Sequence, residues 1–203
     1  MERVLPELKI PVHLGFRLRW NPSMIRLRER LEGIKRISCI YHMGMGWLAE
    51  GKDWTRDIEQ SGGGFFSIGV HALDLVRWLA DANGQALTEL RAGAECIEDS
   101  ANFPLKVWLS GKLPTGIEIV AGTDLRADST YDLKLEVEAE SGGYPDPDLK
   151  PPIFEDEVIE YRAIIHNFIR AAKDGEWNQD YIEEVFQIHS ELILAQELVN
   201  DPK

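Results

Sequence analysis

Between Leu87 and Glu140 four apolar runs follow one another with only short turns between them, and this spacing constrains the fold more than any other feature of the chain. The runs cover 87–96, 105–109, 117–123 and 132–140. In the last, Leu133, Leu135, Val137 and Ala139 alternate with charged residues, the period-two signature of a strand with one buried face. Gly111, Pro114-Thr115-Gly116 and Arg126-Ala127-Asp128-Ser129 separate the runs. A parallel crossover needs about a dozen residues or more, so strands this close must pair largely antiparallel. A doubly wound parallel sheet is thereby excluded.

The flanking segments predict helices and two further extended pieces. In 9–19, Val12, Leu14 and Phe16 alternate with His13, Gly15 and Arg17 after Pro11, which predicts a strand ending at Asn21-Pro22. Ser23 is expected to cap a helix running to about Leu31 and closed by Gly33. Residues 34–43 are β-rich and lead into Gly44-Met45-Gly46, and 47–64 read as loop. A helix is expected from near Ser67 through Trp78, with Val70, Leu73, Val76 and Leu79 on its apolar face. After an irregular acidic stretch at 142–156, two helices close the chain over about 157–173 and 180–200. The first is expected to bury Val158, Tyr161, Ile164, Ile165, Phe168 and Ile169, and the second Tyr181, Val185, Ile188, Leu192 and Ala195. The fold class that follows is α+β, an open and predominantly antiparallel sheet with helices packed on one face. The 203 residues, 44% of them hydrophobic, suffice for a single domain with its own core. The uncovered sheet face must be polar or partnered, and Trp108 with its aliphatic neighbours points to a homo-oligomer formed through that face.

A net charge of −13 argues against a nucleic-acid groove, which depends on clustered Lys and Arg. No run reaches the roughly 18 apolar residues of a membrane span, and no apolar stretch follows Met1-Glu2-Arg3, so a cytoplasmic protein without membrane contact is expected. Cys39 and Cys96 lack CxxC spacing and read as buried free thiols, with no metal site. The charge is uneven, because residues 1–36 carry nine Lys or Arg against four Glu. Two readings stand side by side. Either 23–32 form a solvated basic helix face, or Arg17 and Arg19, outside that helix, face an anionic or polyhydroxylated ligand.

Ser61-Gly62-Gly63-Gly64-Phe65-Phe66-Ser67-Ile68-Gly69-Val70-His71-Ala72-Leu73-Asp74 is the most informative stretch. It is no dinucleotide fingerprint, since Ser67 stands at the third glycine and no acidic residue follows a second strand at the right distance. On a helix starting at Ser67, the hydroxyl, His71 and Asp74 would share one face near the helix start. His71 can then serve as general acid or base, with Ser67 or Asp74 fixing its tautomer. Equally, His71 can be a packed core histidine, Ser67 an N-cap and Asp74 a partner of Arg77.

Gly15-Phe16-Arg17-Leu18-Arg19-Trp20-Asn21-Pro22, Trp54-Thr55-Arg56-Asp57 and the Ser61–Asp74 stretch together resemble the carboxy-terminal half of the Gfo/Idh/MocA oxidoreductase family. The last two helices are similar to that family's final pair, so the likeness spans essentially the whole chain. It implies a substrate-side, oligomerising domain of a sugar or cyclitol oxidoreductase, with a small polyhydroxylated substrate. NAD or NADP would be held by an amino-terminal Rossmann domain, a partner not found in this sequence, and this chain alone would hold no cofactor. His71 matches the family histidine, whereas Ser67 stands where the family usually has an aspartate, and the Glu-Lys-Pro lysine is missing. Arg19, Trp54 and His71, with Arg17 and Asp74, would line the substrate pocket, Trp54 stacking on a sugar face. A neutral Ser67 cannot orient a histidine as a carboxylate does. Without the nucleotide-binding half and the Glu-Lys-Pro lysine, the chain is expected to be inactive alone. The competing readings are a binding or assembly module that has lost catalysis, and an unrelated α+β interaction protein in which the glycines form only a turn.

Overall fold

The computed structural model describes residues 15–43, 61–95, 104–126, 132–140, 157–175 and 179–200. Five strands among them form one sheet: β1 (Ile34–His42), β2 (Thr88–Glu95), β3 (Lys106–Lys112), β4 (Glu118–Asp124) and β5 (Asp132–Ala139). Their spatial order is β2-β3-β4-β1-β5. The turn-linked pairs β2–β3 and β3–β4 are antiparallel, as their short connections require. β4 and β5, although consecutive, are not neighbours. β1 lies between them, parallel to β4 and antiparallel to β5, which makes the sheet mixed.

Alternation then assigns the two faces. Ile37, Cys39 and Tyr41 of β1 pair in register with Ile119, Ala121 and Thr123 of β4, and all six are buried. Leu133, Leu135 and Val137 of β5 extend this inner face. Cys39 is a buried free thiol, and burial holds its pKa far above the ordinary thiol range. Cys96 lies outside the described residues.

Four helices complete the described architecture: α1 (Pro22–Arg30), α2 (Val70–Leu79), α3 (Glu157–Asp174) and α4 (Gln179–Asn200). α2 lies across β1 and β4, covering the inner face with the fully buried Leu73, Leu75 and Val76. α4 packs against β2 and α2 through Val185, Ile188, Leu192 and Ala195, as the sequence predicts; the Tyr181 side chain lies outside the described set. No helix among the described residues is long and apolar enough to cross a membrane.

Three local expectations are corrected. Of the predicted strand at 9–19, residues 9–14 lie outside the described set, and Arg17–Trp20 form a 3-10 turn instead. The cap of α1 is Asn21 and not Ser23: its side-chain oxygen accepts from the backbone N–H of Ser23 at 2.9 Å and of Met24 at 3.2 Å. Pro22 has no N–H to satisfy, so it suits the first helical position. The third correction concerns α3, whose Tyr161, Ile165, Phe168 and Ile169 are exposed, Ile165 by 54%. α3 packs chiefly against the Arg17–Trp20 turn, so only its Glu160 side is drawn inward.

This predicts unequal sensitivity of the two closing helices in urea unfolding. Ile165→Ser should shift stability by no more than about 0.5 kcal/mol. Leu192→Ala, at a fully buried position, should cost about 2–5 kcal/mol.

Candidate functional site

The glycine-rich stretch delivers α2 to the sheet. Gly62 and Gly63 have φ of +73° and +72°, which side-chain-bearing residues rarely adopt. A Cβ on Gly64 would lie 3.1 Å from Val107 and 3.2 Å from Thr123, so this glycine sets how closely the helix start leans on β3 and β4. From there the helix begins as a π turn over Phe65–Gly69 and continues as α2. Helical backbone thus starts before Ser67, not at it.

The π turn alters which side chains line up. Spreading one turn over an extra residue rotates Ser67 out of the i, i+4 register with His71. Its Oγ donates to the Gly63 carbonyl at 2.9 Å, and Ser67 is not among the described residues that line the nearby cleft. His71 and Asp74, both beyond the π turn, do line it, together with Phe16, Arg17, Leu18 and Tyr41. The enclosed part of the cleft is about 30 Å³, room for one or two waters or for the hydroxyls at one edge of a larger molecule.

His71 sits edge-on to Phe16, with ring centroids 5.9 Å apart at 83°, and tilted towards Tyr41 at 6.5 Å. Burial first, and the nearby Arg17 charge second, push its pKa below the ordinary histidine value. At pH 7 its imidazole is therefore neutral and able to accept a proton.

Both arginines of the 3-10 turn meet carboxylates. Arg19 Nε donates to Asp74 Oδ1 at 2.9 Å and Oδ2 at 3.0 Å, and its Nη2 also donates to Oδ1. Asp74 therefore pairs with Arg19 and not with Arg77, which is fully buried against Glu184 and Glu191. Burial pushes the Asp74 carboxyl up to about 6 even with Arg19 beside it. Arg17 Nη1 lies 3.3 Å from Glu160 Oε2, and Asn21 Nδ2 donates to the other Glu160 oxygen at 2.6 Å. On the α1 basic face, Arg26 and Arg30 are exposed, while Arg28 stacks on Trp78 at 4.8 Å and pairs with Asp81 at 2.6 Å.

Of the sequence candidates, Arg17, His71 and Asp74 converge on one cleft, and Arg19 reaches it through Asp74. Ser67 stands apart, and Trp54 lies outside the described residues. Sequence reasoning missed Phe16, Tyr41 and Glu160. For Tyr41 a signal existed, since it continues the inward alternation of Ile37 and Cys39 to the strand end. Glu160 gave none, because an acid in a surface helix looks solvated.

The family model described as the GFO/IDH/MocA C-terminal domain matches residues 34–144, more than half of the chain. The chain belongs to the GFO/IDH/MocA family. Solved structures agree in fold. GenD2 from gentamicin A biosynthesis, in complex with NAD, superposes with a TM-score of 0.74 at 16% identity, covering 96% of this chain and 62% of its own. A myo-inositol dehydrogenase from Corynebacterium glutamicum gives 0.68 at 18% identity, covering 93% and 62%. The scyllo-inositol dehydrogenase from Lactobacillus casei with bound NAD(H) and scyllo-inositol gives 0.68 at 15%, again covering 93% and 62%. This chain thus spans about three-fifths of the length of these structures. No curated protein sequence matches it.

The described residues do not themselves form a dinucleotide cradle. The one parallel pair, β1–β4, is not a strand–glycine turn–helix–strand unit, because β2 and β3 intervene along the chain. What this GFO/IDH/MocA C-terminal domain offers is the cleft beside α2.

Proposed function

We propose that this chain is the substrate-side and oligomerising domain of an NAD(P)-dependent oxidoreductase acting on a small polyhydroxylated substrate, working with a separate nucleotide-binding domain and inactive without it. The observation that carries this reading is the placement of His71, its pKa held down by burial, in a cleft walled by Phe16, Tyr41, Arg17 and Asp74, within a C-terminal domain of this family. The imidazole takes the proton of a substrate hydroxyl, the Phe16 and Tyr41 rings face the carbon skeleton, and Arg17 and Asp74 supply donor and acceptor. His71 is the catalytic residue that matches the family, and Ser67, at the position of the family's aspartate, acts only at a distance through the Gly63 carbonyl it holds. Arg17, Arg19, Trp54 and Asp74 bind substrate. The nucleotide, NAD or NADP, is bound by the other domain and supplies hydride acceptance. In a homo-oligomer, copies meet through the outer sheet face that carries Trp108.

A second reading has one observation in its favour. With the Ser67 hydroxyl engaged by the Gly63 carbonyl, no carboxylate stands where the family's aspartate does, as suits a binding or assembly module without catalysis.

One experiment separates the two. The chain is mixed with a nucleotide-binding domain of the family, and NAD(P)H formation from myo-inositol is followed by absorbance. Turnover in the mixture and not in either component is expected, and His71→Ala should lower it by about 10²–10⁴-fold. No turnover in a mixture that binds nucleotide would establish the assembly module.

A further inference from the structure

We infer that the cleft selects an uncharged polyol over an anionic sugar, because Arg17 and Arg19 are each held against a buried carboxylate of their own, Glu160 and Asp74. The inference rests on the reading of the cleft as a polyol site. Arginine recognises carboxylates and phosphates through an uncompensated charge and a free two-pronged edge. Here Arg19 has committed its Nε and Nη2 edge to Asp74, whose side chain is only 2% exposed. Glu160, with no exposed side-chain surface, faces Arg17 with one oxygen and Asn21 with the other. Each acid is more deeply buried than its arginine, which is 13% exposed in both pairs.

The fixed charges these four residues bring are two positive and two negative. An entering anion would therefore gain no net attraction from these two pairs, and it would approach the Asp74 carboxylate that lines the wall. A neutral polyol fares differently. Each hydroxyl both donates and accepts, so it can bridge guanidinium N–H groups and carboxylate oxygens without disturbing either pair. The aromatic walls suit its C–H faces.

Glu160 is the specificity-determining member. It reaches the site from α3, 143 residues along the chain from Arg17, and acts on the cleft by balancing and positioning that arginine. Removing its charge while keeping its shape should leave the cleft with one excess positive charge.

The test is titration calorimetry on the full chain with three probes: myo-inositol, glucuronate and glucose 6-phosphate. The unaltered chain should bind myo-inositol at least about tenfold more tightly than either anion. Glu160→Gln should narrow that ratio by about tenfold, chiefly by tightening anion binding. The Arg17→Gln/Glu160→Gln double variant, neutral again, should restore the original ratio, which a purely structural role for Glu160 would not do. Anion binding as tight as myo-inositol by the unaltered chain, or an unchanged ratio in folded Glu160→Gln, overturns the inference and leaves the polyol site standing. Binding of none of the three removes the polyol site and this inference with it. Should Glu160→Gln fail to fold, Arg17→Gln carries the opposite sign and must widen the ratio; a ratio that stays put overturns the inference.

Discussion

Replacing Arg77 by leucine should destabilise the protein by about 3–5 kcal/mol at neutral pH, the cost typical of stripping a buried ion network of its one cation. Arg77 has no solvent exposure. Its Nε and Nη2 donate to the two oxygens of Glu184 at 2.7 and 2.9 Å, and its Nη1 to those of Glu191 at 2.8 and 3.0 Å. Nη2 also reaches the Gln85 carbonyl at 2.8 Å. The two acids in turn accept from the backbone N–H of Gly84 and Leu87, so the network ties α2, α4 and the connection before β2 together. Burial already holds Glu191 above the ordinary carboxylate range with Arg77 in place. Without the cation Glu191 would rise further above its unfolded value of about 4.3. Groups with raised folded pKa values stabilise the fold at low pH and lose that contribution as pH rises. The defect should therefore be largest at pH 7.5 and shrink towards pH 5 in urea unfolding. A loss below about 1 kcal/mol at pH 7.5 would mean that water reaches the two carboxylates. Converting both acids to glutamine in the Arg77→Leu background should recover part of the loss, since amide oxygens can still accept from Gly84 and Leu87.

The second large effect lies in the sheet. Trp108 of β3 sits in register between two glycines, Gly93 of β2 and Gly122 of β4. A Cβ at Gly93 would come within 2.6 Å of the Trp108 indole, whereas one at Gly122 would come within 2.3 Å of the Val107 carbonyl oxygen. The first clash is with a side chain and the second with the backbone of a paired strand. Gly93→Ala and Gly122→Ala should each cost at least about 1–3 kcal/mol, with Gly122→Ala the worse. Trp108→Ala should rescue the Gly93 variant in a double-mutant cycle and fail to rescue Gly122→Ala. Rescue of both would show that the backbones of β3 and β4 can separate more freely than their pairing suggests. The indole also explains why the outer face is only partly polar, as it spreads over a glycine strand neighbour while Lys134 and Glu136 of β5 stand exposed beyond it.

The strands were legible because alternation and turn spacing are local signals, and Leu133 to Ala139 displayed theirs completely. The insertion of β1 between β4 and β5 was not, since nothing in 34–43 records which distant strands it will join. α4 betrayed its buried row, while α3 misled. Its Tyr161, Ile165 and Phe168 have the spacing of a buried face, and periodicity reports that a face is apolar without reporting whether this chain covers it. At the candidate site, the glycines and His71 stood out by type, and the likeness to the family was readable from them. Two features were hidden. The π turn that separates Ser67 from His71 has no sequence signature, and the pairing of Arg17 and Arg19 with Glu160 and Asp74 joins segments far apart in the chain.

The position of β1 bears on how the molecule assembles. It is made before its partners in β4 and β5, which lie about 80 and 100 residues further along, and contacts of such separation are slow to form. The β2–β3–β4 meander can pair on its own as soon as it emerges, leaving the inner edge of β4 open until β1 docks against it. During synthesis β1, with Ile37, Cys39 and Tyr41 uncovered, must therefore wait for the meander, and that interval is when the chain most needs protection from joining another copy of itself.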